Sequence, residues 1–199
     1  MPPLPDTQSF KNAVRIVQQA KRKSHSHAKI ARRLFTYERP YTLSDDANAD
    51  RAFDLFSSVA DYFRVPFPSV RAVGSGQLGC SGHKARDFIP KTSDLDLAIV
   101  DSAMFSQYCL HATIATKDYS DLTKFPDSAT YQGFVQYLAK GIFRPDLMPL
   151  CPNRKLWFDF FQQISAKFTD MYSSINCGVY LSEEVFERKQ SYDVEILAP

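Results

Sequence analysis

The sequence predicts a single α/β domain of the α+β kind, spanning residues 1–199. A helical N-terminal portion covers residues 1–65, and a small mixed sheet packed by helices covers residues 69–199. Three observations predict this. Apolar residues recur at helical spacing in several separate segments, whereas 69–75, 95–100 and 175–181 have the length and composition of strands. The chain has 199 residues, 44% of them hydrophobic, enough to bury one core. Sixteen Phe and ten Tyr exclude a chain disordered throughout.

After a Pro-rich opening, Phe10, Val14, Ile16 and Val17 predict a first helix over 7–22. Residues 21–33, running into Leu34 and Phe35, read as a second helix or an extension of the first, with a loop at Pro40. Asp45 or Asp46 can cap a helix whose stripe is Ala49, Phe53, Phe56, Val59, Ala60 and Phe63, ended by Pro66 and Pro68. The first strand follows over 69–75 and the second over 95–100. Short helices are expected over 103–115 and 128–140, the latter stopped by Gly141. Asn153 is placed to cap a helix with Trp157, Phe160, Phe161, Ile164 and Phe168 facing the core. Residues 175–181 read as a third strand, and Ser182 as the cap of a helix starting at Glu183. Residues 192–197 either continue that helix or, because Tyr192, Val194 and Ile196 alternate with Asp193 and Glu195, form a strand. There is no internal repeat and no Gly/Ser linker.

Net charge is only +2, but residues 1–39 hold nine Lys or Arg against Asp6 and Glu38. Such a segment can hold an oligonucleotide by its phosphates, or it is simply a solvated helix face. Cys80, Cys109, Cys151 and Cys177 lie far apart without a C-x-x-C pair, so no zinc site is indicated. The N-terminal residues lack the pattern of a signal peptide, and no apolar run approaches membrane-spanning length. No membrane insertion and a reducing cytoplasm are the expectations.

The most informative residues are Gly74-Ser75 and, downstream, Asp94-Leu95-Asp96 in the run up to Val100. Two carboxylates one residue apart share one face of a strand. Crowding them beside a buried strand is costly unless a cation neutralises them, and Mg²⁺ commonly takes one or two carboxylates together with substrate phosphates. A Gly-Ser turn offers backbone N–H groups and a hydroxyl to phosphate oxygens. An isolated Asp-x-Asp would more often be only a polar strand entrance. The preceding Gly-Ser shifts the reading towards metal-assisted phosphoryl or nucleotidyl transfer.

Val73-Gly74-Ser75 followed by Asp94-Leu95-Asp96 resembles the signature of the DNA polymerase beta-type nucleotidyltransferase superfamily. The resemblance covers residues 70–101, about a sixth of the chain. It implies the nucleotidyltransferase fold, with 69–199 as the catalytic core. It also implies two Mg²⁺ ions (with Mn²⁺ as an alternative) held by Asp94 and Asp96, and a triphosphate held by Gly74 and Ser75. The eighteen residues between Ser75 and Asp94 exceed the usual spacer. The family adds a third carboxylate on a neighbouring strand, yet 175–181 contains no acid. Asp193 or Glu195 would supply it if 192–197 were a strand; on a long helix both would be surface charges. Lys84, Arg86 and Lys91 in the spacer either neutralise triphosphate charge or keep a loop solvated.

The fuller pattern, from Val73 through Gly79 to Phe88, Ser93, Asp96 and Asp101, is similar to bacterial nucleotidyltransferases of anti-phage defence. These include cyclic-oligonucleotide synthases and Hailong-type polymerases. It adds Ser93 to the nucleotide-binding set. It implies NTP or dNTP as substrate, template-independent synthesis of a messenger or short oligonucleotide, and an effector protein as partner; homo-oligomerisation is a further expectation. Two alternatives stay open: a toxin or antitoxin modifying a protein or tRNA, and a degenerate, non-catalytic nucleotide sensor.

Gly74-Ser75-Gly76-Gln77-Leu78-Gly79 is also a literal G-x-G-x-x-G, with Asp94 twenty residues after Gly74, as in a dinucleotide-binding unit. The context argues against that. Gly82 and Pro90 interrupt the helix that should follow Gly79, and Pro in a helix interior costs about 3 kcal/mol.

Overall fold

The computed structural model describes residues 8–44, 46–81 and 86–197. α1 (Gln8–Arg22) buries Phe10, Ala13, Val17 and Ala20. Two alanines join its packing stripe, while Val14 and Ile16 pack against the same cluster half-buried. Ser24 then takes a left-handed backbone (φ 56°), which breaks the helix, and the Ser26 hydroxyl accepts from the Lys29 N–H at 3.3 Å to start α2 (His27–Arg32). The second segment is thus a separate helix. It runs into a π-type turn at Arg33–Tyr37 that buries Leu34 and Phe35. α3 (Asp46–Phe63) buries Ala52, Leu55, Phe56, Val59 and Ala60, while Phe53 is 55% exposed against the expectation from its spacing.

β1 (Val70–Val73) is shorter than the sequence predicts. Gly74, at φ +57°, turns the chain directly into a one-turn helix, α4 (Gly74–Leu78), which Gly79 closes at φ +74°. A two-residue ribbon follows, β2 (Cys80–Ser81) against β3 (Arg86–Asp87), and then β4 (Leu95–Val100). Asp101 caps α5 (Ser102–Ala115) by accepting from the Met104 N–H at 2.7 Å. Asp127 caps α6 (Ser128–Ala139), and Gly141 at φ +75° leads into β5 (Ile142–Phe143). α7 (Pro152–Lys167) starts with Pro152 in its first turn, not behind an Asn153 cap. β6 (Ile175–Tyr180) precedes α8 (Glu183–Ile196), where the Ser182 hydroxyl accepts from the Val185 N–H. Residues 192–196 are therefore helical, not a strand.

Among the described residues the architecture is mixed α/β, eight helices around a four-stranded mixed sheet of order β1-β4-β6-β5. β4 pairs antiparallel with β1 and parallel with β6, and β5 is antiparallel to β6. The antiparallel β1–β4 pair excludes the parallel βαβ unit that a dinucleotide-binding reading of Gly74–Gly79 requires. Side chains alternate across β4. Leu95, Leu97 and Ile99 join α3, α5 and α7 in one apolar layer, and Ala98 and Val100 join α1, α2 and α8 in the other. No described helix is long and apolar enough to cross a membrane.

Candidate functional site

Asp96 occupies the central strand at its entrance. Its neighbours across the sheet are Val73 of β1 on one side and Asn176 of β6 on the other. The first pairing brings the Gly74 turn against the acid: a Cβ built on Gly74 would lie 3.8 Å from Asp96 Oδ2. On the other side, Asn176 Nδ2 donates to Asp96 Oδ1 at 3.4 Å. Asp94 lies just before β4. Two bonds fix its backbone, Ser173 N–H to Ser93 O at 3.0 Å and Leu95 N–H to Ser174 O at 2.9 Å. Being two residues apart, Asp94 and Asp96 share the parity of Ala98 and Val100, so they belong to the side of the sheet that carries α8.

The turn is locked to the same strand from beneath. A Cβ on Gly76 would stand 2.5 Å from Leu95 Cδ1, so only glycine lets α4 sit this close to β4. Gln77, buried, donates to the carbonyls of Leu34 at 2.6 Å and Glu38 at 3.1 Å, tying α4 to the N-terminal helices.

These residues open onto one cavity of about 940 Å³. Gly74 and Ser75 line it, as do Arg86, Ser93, Asp94 and Asp96. Asp193 reaches it from α8, so a helix rather than a strand brings this acid to the wall. Two expected residues are not brought there. Glu195 is exposed and lies 3.3 Å from His27 Nδ1, because two helical positions turn it about 200° from Asp193. Lys91 sits in the Ile89–Ser93 turn with φ 66°, its N–H bound to the Met171 carbonyl, and does not line the cavity. Lys84 lies outside the described residues.

Sequence reading missed several lining residues. Asp87 and Ser81 come from the β2–β3 ribbon, Gln162 from α7 and Lys189 from α8. Arg144, past β5, holds Asp146 through two bonds of 2.8 and 2.6 Å and lies over the Tyr137 ring. Only the apolar alternation of β6, with Gly178 between Asn176 and Tyr180, signalled an open strand face. Gly178 lines the cavity, and a Cβ there would meet only the Phe143 carbonyl at 3.6 Å and the Tyr180 ring at 3.9 Å.

The described lining carries five carboxylates (Asp87, Asp94, Asp96, Asp146, Asp193) against three cations (Arg86, Arg144, Lys189). Burial pushes the Cys177 thiol well up, with Asp96 adding to it, and pushes the Tyr180 phenol up, with Cys177 and Asp193 adding. Both groups are neutral at physiological pH, so the negative charge of the wall resides in its aspartates. Among the described residues, no group of three or more His, Cys, Asp or Glu is assembled to hold a metal ion. Asp94 and Asp96 are two oxygen donors on one wall, the donor type that Mg²⁺ takes.

No protein-family model, no curated protein and no solved structure matches the chain significantly.

Proposed function

We propose that the chain is a metal-dependent nucleotidyltransferase with the nucleotidyltransferase fold, moving a nucleoside monophosphate from an NTP or dNTP to a hydroxyl. One observation carries this reading. The Gly74-Ser75 turn and the Asp94/Asp96 pair, with eighteen residues between them in sequence, meet at the wall of one cavity large enough for a nucleotide.

Asp94 and Asp96 would hold Mg²⁺ or Mn²⁺. When bound, the metal neutralises triphosphate charge and lowers the pKa of an attacking hydroxyl. The chain's own residues position the reactants. Gly74 lets the backbone approach the phosphates, and the Ser75 hydroxyl, Ser93 and Arg86 add polar contacts. The acceptor oxygen bonds the α-phosphorus as the α–β bridging P–O bond breaks and pyrophosphate leaves. Asp193 is the wall carboxylate assigned to take the hydroxyl proton. Template-independent synthesis of a messenger or short oligonucleotide in anti-phage defence is the biological setting that the sequence resemblance favours.

A second reading has its own support. Asn176, not an acid, faces Asp96 from the adjacent strand β6, which suits a non-catalytic nucleotide sensor. Incubation with each labelled NTP and dNTP plus Mg²⁺ separates the two. Label in oligomers or on an acceptor, lost in Asp94→Ala/Asp96→Ala, supports transfer. Metal-dependent nucleotide binding without incorporation supports the sensor. Absence of nucleotide binding overturns the site.

A further inference from the structure

From Gln8 to Tyr37 the chain carries eight Lys or Arg and no Asp or Glu. All eight are exposed. Arg32 pairs with Glu187 and Arg33 with Glu38, both acids from outside the segment. Arg15, Arg22, Lys23 and Lys29 form no ion pair among the described residues. The field of this cluster is felt locally: the His25 imidazole is held below its ordinary value by desolvation and then by Lys29, Lys23 and Arg33.

Three features select the ligand. Lys11, Arg15 and Arg22 fall on one face of α1 and extend about 16 Å along its axis, a row suited to a linear polyanion. The apolar face of α1 is already buried through Phe10, Ala13, Val17 and Ala20. It is therefore not free to enter a lipid surface. Where the basic segment ends, Tyr37 is 83% exposed, the most exposed large apolar side chain described. An exposed ring beside cations is a stacking platform for an unpaired base.

The helices that carry this surface pack on elements that line the cavity. α1 packs on α4, which begins with Gly74-Ser75, and α2 packs on α8, which carries Asp193. Gln77 of α4 bonds the carbonyls on either side of Tyr37, at Leu34 and Glu38.

We propose that the exposed face of α1 and α2, together with Tyr37, binds a single-stranded nucleic acid through its phosphates, with one base stacked on Tyr37. The binding stands by itself. The strand's use as acceptor or product of nucleotidyl transfer rests on the reading given above.

The test is fluorescence anisotropy of the full chain with a labelled single-stranded oligonucleotide of mixed sequence, at several salt concentrations. The affinity should fall as salt rises. Arg15→Glu/Arg22→Glu/Lys29→Glu should weaken binding tenfold or more at low salt and lower the log–log salt slope by about 2. Tyr37→Ala should weaken it about fivefold or more with the slope unchanged. Because all four side chains are exposed, circular dichroism and nucleotide binding should match wild type. Binding that ignores the triple charge reversal overturns the proposal, as does absence of oligonucleotide binding by wild type. Tighter binding to phosphatidylserine vesicles or to a polyglutamate peptide than to the oligonucleotide also overturns it. Nucleotide incorporation is read separately: strand binding without incorporation leaves this surface standing and removes only the transfer reading.

Discussion

Asn176 stands directly across the parallel β4–β6 pair from Asp96 and donates its amide to that carboxylate at 3.4 Å. An amide here stabilises the ionised acid without adding charge. Asn176→Asp should place a third carboxylate beside the pair. Mn²⁺ binding, followed by electron paramagnetic resonance, is expected to tighten severalfold. Unchanged affinity would mean that Asp96 is not a metal ligand.

Asp193 and Glu195 are two residues apart on α8 and meet different surroundings, the cavity for one and His27 for the other. Asp193→Asn is expected to reduce nucleotide incorporation about 100-fold or more, the scale of a lost proton acceptor. Glu195→Gln should leave it unchanged. Equal effects of the two would remove Asp193 from the mechanism.

Gly76 and Leu95 have no room for an added methyl between them. Gly76→Ala forces the Cβ to within 2.5 Å of a side chain that is itself fully buried. The cost should be about 1–3 kcal/mol by thermal denaturation. Gly76→Ala/Leu95→Ala should lose less than the two single changes summed, because the second removes the clash made by the first.

Gly178 lies in the open face of β6 with only ordinary contacts awaiting a Cβ. Gly178→Ala is expected to leave the melting temperature nearly unchanged. Gly178→Phe should fill the cavity and lower nucleotide affinity at least tenfold in calorimetric titration. Retained affinity would locate the nucleotide elsewhere.

Cys80 is fully buried, and burial, reinforced by Asp87, pushes its thiol up to about 11 from an ordinary value of 9.0. At pH 8 iodoacetamide should leave Cys80 unmodified until the chain unfolds, as mass spectrometry of peptides will show. Between pH 9 and about 11 the unfolded chain ionises this thiol while the folded chain keeps its proton. Stability from this group is therefore complete below pH 9 and declines as pH rises through that window.

The central strand was legible because Leu95–Val100 is a strongly apolar run bounded by acids, and Ser182 and Gly141 sit where a cap and a stop must sit. Three features were not settled by local pattern, each for an identifiable reason. In α3, Phe53 invites burial by its chemistry, but Ala52, Leu55, Phe56 and Val59 form the buried stripe, and the direction of a helix's stripe is set by its partner. At 192–196, alternation kept a strand open beside a helix; Phe186, Gln190, Val194 and Leu197 continue a helical stripe begun by the Ser182 cap, and the helix is what forms. The β2–β3 ribbon has two residues on each side, too few to show a period. Gly74 and Ser75 were legible as a turn; that they open a helix depends on Gly76 meeting Leu95, a contact between distant residues. Asp87, Gln162 and Lys189 gave no local signal, since only the assembled sheet and helices put them on one wall.

The salt link from Arg32 to Glu187 joins residues 155 positions apart in the sequence, and α2 packs on α8. During synthesis at ~5–20 residues per second, α2 waits roughly 8–30 s for the helix that completes its side of the core. Until then Val17 and Ile30 lack Phe186 and Val194 to pack against, and the cavity lacks the wall that bears Asp193. A nascent or prematurely terminated product can therefore form the β1–β4 pairing without a closed site. Closure of the cavity wall should therefore lag behind the β1–β4 pairing, and α8 sets the moment at which that wall is complete.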